Sequence, residues 1–234
     1  MFTTVGRCRF GRSTPLFSFA CALSLAMFGP FQAALADLTP YDHGCELLDS
    51  GDYLNAIQQF DLAIDSPSQY PLVYLKRGQA LEKMGSHKLA LKDFSDMIAS
   101  QPDNADAYGW RGTVYTKLGK TDAALADFEK AVSLNPSYAY GFNMAGDVYK
   151  NLGNHSRAID NYSKALGADP KNVDALIHRA SEYVASGKID TAILDLNSAI
   201  SFDPHSAVAY INRGTAYSGL SKPQEAVNDF DKAL

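Results

Sequence analysis

Apolar, small and polar residues recur along most of this chain at a fixed interval of 34 residues. Within each interval, two stretches carry apolar residues three or four positions apart, which is the spacing of a helix with one buried face. Glycines separate the two stretches: Gly51, Gly85, Gly119, Gly153 and Gly187. Prolines follow the second stretch: Pro102, Pro136, Pro170 and Pro204. Because glycine permits a chain reversal and proline ends a helix, the pattern predicts a helix–turn–helix unit.

Six such units follow one another when the Gly of a recurring Arg-Gly pair is placed eighth. The repeats then span 37–70, 71–104, 105–138, 139–172, 173–206 and 207–234, the last one incomplete. The eighth position holds a small residue in every repeat: Gly44, Gly78, Gly112, Gly146, Ala180 and Gly214. The twenty-fourth holds a large one: Phe60, Phe94, Phe128, Tyr162, Leu196 and Phe230. Small residues allow two helices to approach closely, and one unit cannot bury its apolar face alone, so neighbouring units must stack.

The repeat length, the small eighth residue, the Ala twelve residues later and the terminal proline resemble the tetratricopeptide repeat family. The resemblance covers residues 37–234 and departs from the family pattern at Ala180, at Ser221 in place of the turn glycine, and at Pro67, one position early. It implies an all-α fold: an α-solenoid of stacked helix pairs in a right-handed superhelix, whose first helices line a concave groove. It also implies a protein-binding scaffold rather than an enzyme.

An Arg precedes the small residue in four repeats, and an Asp follows that Arg 16 residues later. The four pairs are Arg77 with Asp93, Arg111 with Asp127, Arg179 with Asp195 and Arg213 with Asp229. The other two repeats carry His43 with Gln59 and Ala145 with Asn161, so the Arg and the Asp are present or absent together. This co-occurrence predicts an ion pair between the two helices of one repeat. A ladder of arginines for an acidic ligand is the less favoured alternative, because each Arg already has a partner.

The resemblance further implies that positions 2, 5, 9 and 12 of each first helix face the groove. This stripe begins apolar (Leu38, Leu72), turns polar (Glu82, Asp106, Thr116) and ends apolar (Val184). The Lys, Asn and Arg set with which chaperone-binding relatives clamp a C-terminal carboxylate is absent, since Tyr41 and Cys45 stand in the first repeat. We therefore predict an internal or extended segment of a protein or peptide as ligand. The predicted partner-binding residues are Tyr41, Leu72, Leu75, Gln79, Thr113, Asn143, Asp147, Lys150, Ile177, Val208 and Ile211. The alternative is that the apolar members only pack against neighbouring helices.

Residues 1–36 are typical of an export signal. Three arginines precede an apolar stretch over 16–28, and Ala34-Leu35-Ala36 offers a cleavage site, so we expect a mature chain that begins at Asp37 and is periplasmic or secreted. Import into an organelle, or membrane anchoring by an uncleaved signal, is the alternative. Residues 37–234 hold 18 basic and 26 acidic residues, and this acidic excess argues against nucleic acid as a partner.

No motif for a metal, a cofactor or catalysis accompanies the repeats, and the five histidines are scattered. We therefore expect no enzyme activity and no cofactor, and Cys45 is interpreted as a buried packing residue. The alternative function is a structural or assembly module of a cell-envelope complex, which acts through self-association or the ends of the array. The C-terminal repeat motivates it, since its apolar residues have no following helix in this sequence: Ala226, Val227, Phe230, Ala233 and Leu234.

Overall fold

The computed structural model describes residues 39–65 and 72–234, so the predicted export signal and Leu38 lie outside the described residues. Within those two ranges the chain forms twelve α-helices and no strand, which confirms the all-α class. The helices are α1 Pro40–Ser50, α2 Tyr53–Ile64, α3 Val73–Lys83, α4 His87–Ser100, α5 Ala105–Lys117, α6 Thr121–Leu134, α7 Ala139–Asn151, α8 His155–Ala168, α9 Val173–Ala185, α10 Ile189–Phe202, α11 Ala207–Gly219 and α12 Pro223–Ala233. The odd-numbered helices are the first helices of the repeats and the even-numbered helices are the second.

The chain divides into two compact units, residues 1–100 and 101–234. In each unit a second helix packs against the first helix of its own repeat and against the first helix of the repeat that follows it in that unit. Consecutive first helices of a unit also pack against each other, as α5, α7, α9 and α11 do in the second unit. No comparable packing joins the second helices among the described residues. The first helices therefore form an inner layer within each unit, and the second helices form an outer layer.

Polar caps and left-handed turn residues set the ends of the helices. Asn104 accepts a hydrogen bond from the backbone N–H of Ala107 at 2.9 Å, and Asn172 and Ser206 cap α9 and α11 in the same way. The turn glycines adopt φ values between 70° and 85°. Ser221 takes the same role with φ 56°, a conformation that is strained for a residue with a side chain. The predicted caps and turns are thus confirmed.

The small eighth residue of each repeat lies directly under the large twenty-fourth residue. A Cβ atom added to Gly78 would lie 2.6 Å from Cε1 of Phe94, which is too close for any side chain. The same relation holds at Gly44, Gly112, Gly146 and Gly214. Where Ala180 replaces the glycine, Leu196 replaces the aromatic residue. The close approach that the sequence predicts is therefore a contact between a helix backbone and a ring.

Each predicted Arg–Asp pair forms within its own repeat, as expected. Arg179 donates from Nε and Nη2 to the two carboxylate oxygens of Asp195, both at 2.8 Å, and the other three pairs have the same geometry. The hydrogen bond to Asp195 raises the pKa of Arg179 above its ordinary value, so the pair stays charged. The sequence analysis did not predict a third contact: Nη1 of Arg179 donates to Ser163 of the preceding repeat at 3.0 Å. Nη1 of Arg77 and of Arg213 contacts the equivalent residue, so these three arginines each join two repeats.

Candidate functional site

The predicted groove residues lie on the inner layer of first helices, where they differ widely in exposure. Val208 and Ile211 on α11 are 56% and 46% exposed, and Leu72, which precedes α3, is also exposed. The partly buried members of the predicted set are Tyr41, Gln79, Thr113, Asp147 and Lys150. The structure thus leaves apolar contact area on α11 of the second unit, and near the start of α3 in the first unit.

Three predicted site residues are buried and do not present their side chains to a ligand. Leu75 and Ile177 are only 5% and 6% exposed, and Ile177 belongs to a core cluster with Leu176 and Leu196. Asn143 is equally buried, although its Oδ1 has no hydrogen-bond partner among the described residues. Position 5 of a first helix can face the neighbouring first helix as well as the groove, so the packing of each repeat decides its exposure. The prediction that Leu75 and Ile177 anchor a ligand is therefore replaced by one that uses Val208 and Ile211.

An aromatic cluster joins α5 to α7 on the inner layer. The hydroxyls of Thr113 and Tyr140 lie 2.9 Å apart, so the two side chains form a hydrogen bond between neighbouring repeats. The ring of Tyr140 packs on Trp110, with centroids 5.5 Å apart, and edge-on against Tyr138 at 5.9 Å. Thr113 was a predicted site residue, whereas the three aromatic residues were missed. Tyr140 could have been found, because it occupies position 2 of its repeat.

A compact polar cluster follows on α7 and α9, centred on Asp147. Its Oδ1 accepts the hydroxyl of Tyr162 at 2.8 Å and lies 3.2 Å from Nζ of Lys150 and 3.0 Å from Nδ1 of His178. Burial alone would raise the pKa of Asp147, but the contacts with His178, Tyr162 and Lys150 outweigh burial and lower it. Asp147 is thus an ionised carboxylate surrounded by donors. Tyr162 is the one tyrosine at position 24, and its hydroxyl links the helix core to the groove.

The described residues offer no alternative chemistry to this groove. Within 39–65 and 72–234 no group of three or more His, Cys, Asp or Glu side chains could hold a metal ion. None of the helices in those ranges is both long and apolar enough to cross a membrane. Cys45 is buried, in agreement with its interpretation as a packing residue.

Comparison with known proteins finds helical repeats throughout the chain. Models for the tetratricopeptide repeat match residues 41–96, 105–138 and 139–172, and a TPR repeat model matches 180–221, together more than half of the chain. No curated protein matches the sequence.

Solved structures of the same architecture cover most of the chain. A crystal structure of MamA is 26% identical and covers 67% of this chain and 92% of its own, with a TM-score of 0.60. TTC0263, a thermophilic TPR protein of Thermus thermophilus, is 23% identical over 76% of this chain and 97% of its own, with a TM-score of 0.66. YrrB, described as a TPR protein with an unusual peptide-binding site, is 23% identical over 74% of this chain and 90% of its own, with a TM-score of 0.56.

Proposed function

Because this chain belongs to the tetratricopeptide repeat family, whose members are protein-interaction scaffolds, we propose that it binds an extended segment of a partner protein along its first helices. One observation carries the proposal: Val208 and Ile211 expose apolar area on the inner layer of the second unit. They lie three residues apart, hence on one face of α11. Exposed apolar side chains that share a face are typical of a binding surface.

Polar groups on the neighbouring first helices suit a ligand with an exposed backbone. Asp147 is held among donors by His178 and Lys150, and the buried Oδ1 of Asn143 has no partner among the described residues. An extended peptide brings unpaired N–H and C=O groups, which such side chains can satisfy. Trp110 and Tyr140 add partly buried aromatic surface on α5 and α7. The expected ligand therefore places an apolar side chain on α11 and its backbone against α7 and α9.

The proposal is tested by titration of peptides selected from a displayed library against residues 37–234. Val208 and Ile211 are about half exposed, so a ligand that covers both removes enough apolar area for about 2 kcal/mol of binding energy. Replacement of both by Ser should weaken binding about 30-fold, while the midpoint of unfolding changes little. The matched control is Leu194→Ser, because Leu194 is 66% exposed on the second helix α10. Equal losses in the control and the double variant, or no loss in either, would show that binding lies elsewhere.

We further propose that the protein works after export, as the arginines and apolar stretch of residues 1–36 suggest. The partner is then a periplasmic or secreted protein. The acidic excess of residues 37–234 argues that this partner is not a nucleic acid.

The alternative function, assembly through self-association, has its own supporting observation. Val227 and Phe230 on α12 are exposed, whereas the residue equivalent to Phe230 is fully buried in earlier repeats, as at Phe94 and Phe128. In this alternative a second copy of the chain covers α12. Light scattering of residues 37–234 tests it: a dimer that Phe230→Glu dissociates supports assembly, and a monomer at all concentrations removes it.

A further inference from the structure

The repeat that spans 139–172 lacks the arginine of its neighbours and has a cavity at that place. Ala145 stands where Arg111, Arg179 and Arg213 stand in the other repeats of the second unit. The cavity has a volume of about 300 Å³, and α6 and α8 flank it with α7 beneath. This volume lies at the low end of the range for small-molecule sites, roughly 300–1,000 Å³, so it suits a side chain rather than a large cofactor. We call it the Ala145 cavity; the residues that matter to its chemistry are Glu129, Phe142, Ala145, Tyr149, Arg157 and Asn161.

The hydrogen-bond acceptors that the built-in arginines use are also present at the Ala145 cavity. Asn161 occupies the place of the aspartates, and the hydrogen bond it makes, to the carbonyl of Arg157, uses its Nδ2 and leaves Oδ1 free. Glu129 occupies the place of Ser163 and Asn197, which accept from Nη1 of Arg179 and Arg213. Glu129 is exposed and makes no hydrogen bond or ion pair within the described ranges. A free amide oxygen and a free carboxylate therefore face a space without a donor.

The aromatic walls that hold the built-in arginines are retained as well. Cζ of Arg213 lies 5.6 Å from the ring of Tyr210 and 6.0 Å from that of Tyr217. At the Ala145 cavity the equivalent rings belong to Phe142 and Tyr149. A guanidinium between two rings gains cation–π and stacking energy that an ammonium group gains less well.

Arg157 lies at the edge of this cavity, with its Cζ 5.4 Å from the ring of Tyr149. It does not take the missing place, because the ring of Tyr217 holds two cations at once, Arg213 and Lys222. Its exposed position on α8 leaves the acceptors Asn161 and Glu129 without a hydrogen bond from it. The second charged pair of the lining, Lys164 with Asp160, is closed on itself at 2.7 Å. Glu129 is thus the uncompensated charge of the cavity.

We propose that the Ala145 cavity is a binding site for an arginine side chain of a partner protein, which completes the contacts that the chain supplies for itself in the neighbouring repeats. The guanidinium donates to Oδ1 of Asn161 and to Glu129 and lies between Phe142 and Tyr149. The site opens among second helices and is separate from the groove residues Val208 and Ile211. It therefore gives the protein a second recognition surface with its own chemistry.

The test is an NMR titration of residues 37–234 with Nα-acetyl-arginine amide, with the matching lysine and citrulline amides as control probes. The arginine amide should shift backbone signals of α6, α7 and α8, and the control amides should bind at least about tenfold more weakly, because they lack the planar charged fork. Ala145→Arg fills the cavity from within and should abolish the shifts. Thr191→Arg adds the same charge at an exposed position of α10 and should leave them unchanged.

A second variant keeps the test decisive if Ala145→Arg does not fold. Glu129→Gln removes the exposed charge without a change in shape, and it should weaken the arginine amide several-fold while the lysine and citrulline amides change less. Equal binding of all three amides, or unchanged arginine binding in both cavity variants, overturns the proposal. Val208→Ser with Ile211→Ser should leave arginine-amide binding intact, so failure here and failure of the groove proposal are distinguishable.

Discussion

Removal of either member of the Arg179–Asp195 pair should destabilise the protein by unequal amounts. Arg179→Ala leaves the Asp195 carboxylate, whose side chain is only 10% exposed, without its two hydrogen bonds. Asp195→Ala leaves a guanidinium that is 20% exposed and still contacts Ser163, so water compensates part of the loss. Breaking a buried pair costs about 3–5 kcal/mol, and partial exposure lowers this figure. We expect losses of about 3 kcal/mol for Arg179→Ala and about 2 kcal/mol for Asp195→Ala.

The double variant decides whether these losses come from one interaction. Once the Asp is absent, removal of the Arg strands no buried carboxylate, so the double variant should lose about 3 kcal/mol rather than the sum of about 5 kcal/mol. The coupling of about 2 kcal/mol is measured by urea unfolding, followed by circular dichroism and by the fluorescence of Trp110, the one tryptophan of the chain. Lys130→Ala, an exposed cation on α6, is the control and should stay within about 0.5 kcal/mol of the wild type. Additive losses would refute the reasoning that the pair acts as a unit.

Three further predictions concern the core, the acid response and the N-terminus. Gly78→Ala should cost about 1–3 kcal/mol in urea unfolding, because its Cβ would meet the Phe94 ring at 2.6 Å, and addition of Phe94→Leu should recover part of this cost; full additivity would contradict the contact. The lowered pKa of Asp147 stabilises the folded protein above its ordinary value of 3.8, and this contribution is lost as the pH falls through the folded pKa. Wild-type stability should therefore fall more steeply than that of Asp147→Asn below about pH 4, and parallel curves would argue against the shift. Intact-mass analysis of protein from its own cells should show a chain that begins at Asp37, whereas a cytosolic chain that begins at Met1 would remove the export proposal.

The features predicted correctly from sequence are those that depend on residues within one repeat. Helix caps such as Asn104 and turn residues such as Gly119 act over three or four positions, so their roles follow from local chemistry. The pairing of Arg179 with Asp195 was recoverable because the two are replaced together in other repeats. Leu196 under Ala180 follows the same rule, since a larger eighth residue requires a smaller partner.

The candidate site was only partly predictable, because equal positions in different repeats meet different neighbours. Ile177 and Ile211 are the same residue type at the same position of a first helix, yet one is 6% exposed and the other 46%. The neighbours that pack on each first helix lie at least a repeat away in sequence, and the periodicity says nothing about how completely they cover it. For the same reason the donors around Asp147 were missed, since His178 comes from the next repeat.

The sequence by itself determined the helix pairs, their caps, the residue pairs inside each repeat and the family, because all of these repeat at short range. Tertiary structure decided which apolar side chains remain exposed and which repeats the arginines connect. It also decided the meaning of Ala145, which in the sequence is a missing arginine and in the structure is a cavity with unused acceptors and aromatic walls. The physical reason is that exposure, cavities and contacts between repeats are set by how neighbouring units stack, and stacking is a property of the assembled helices.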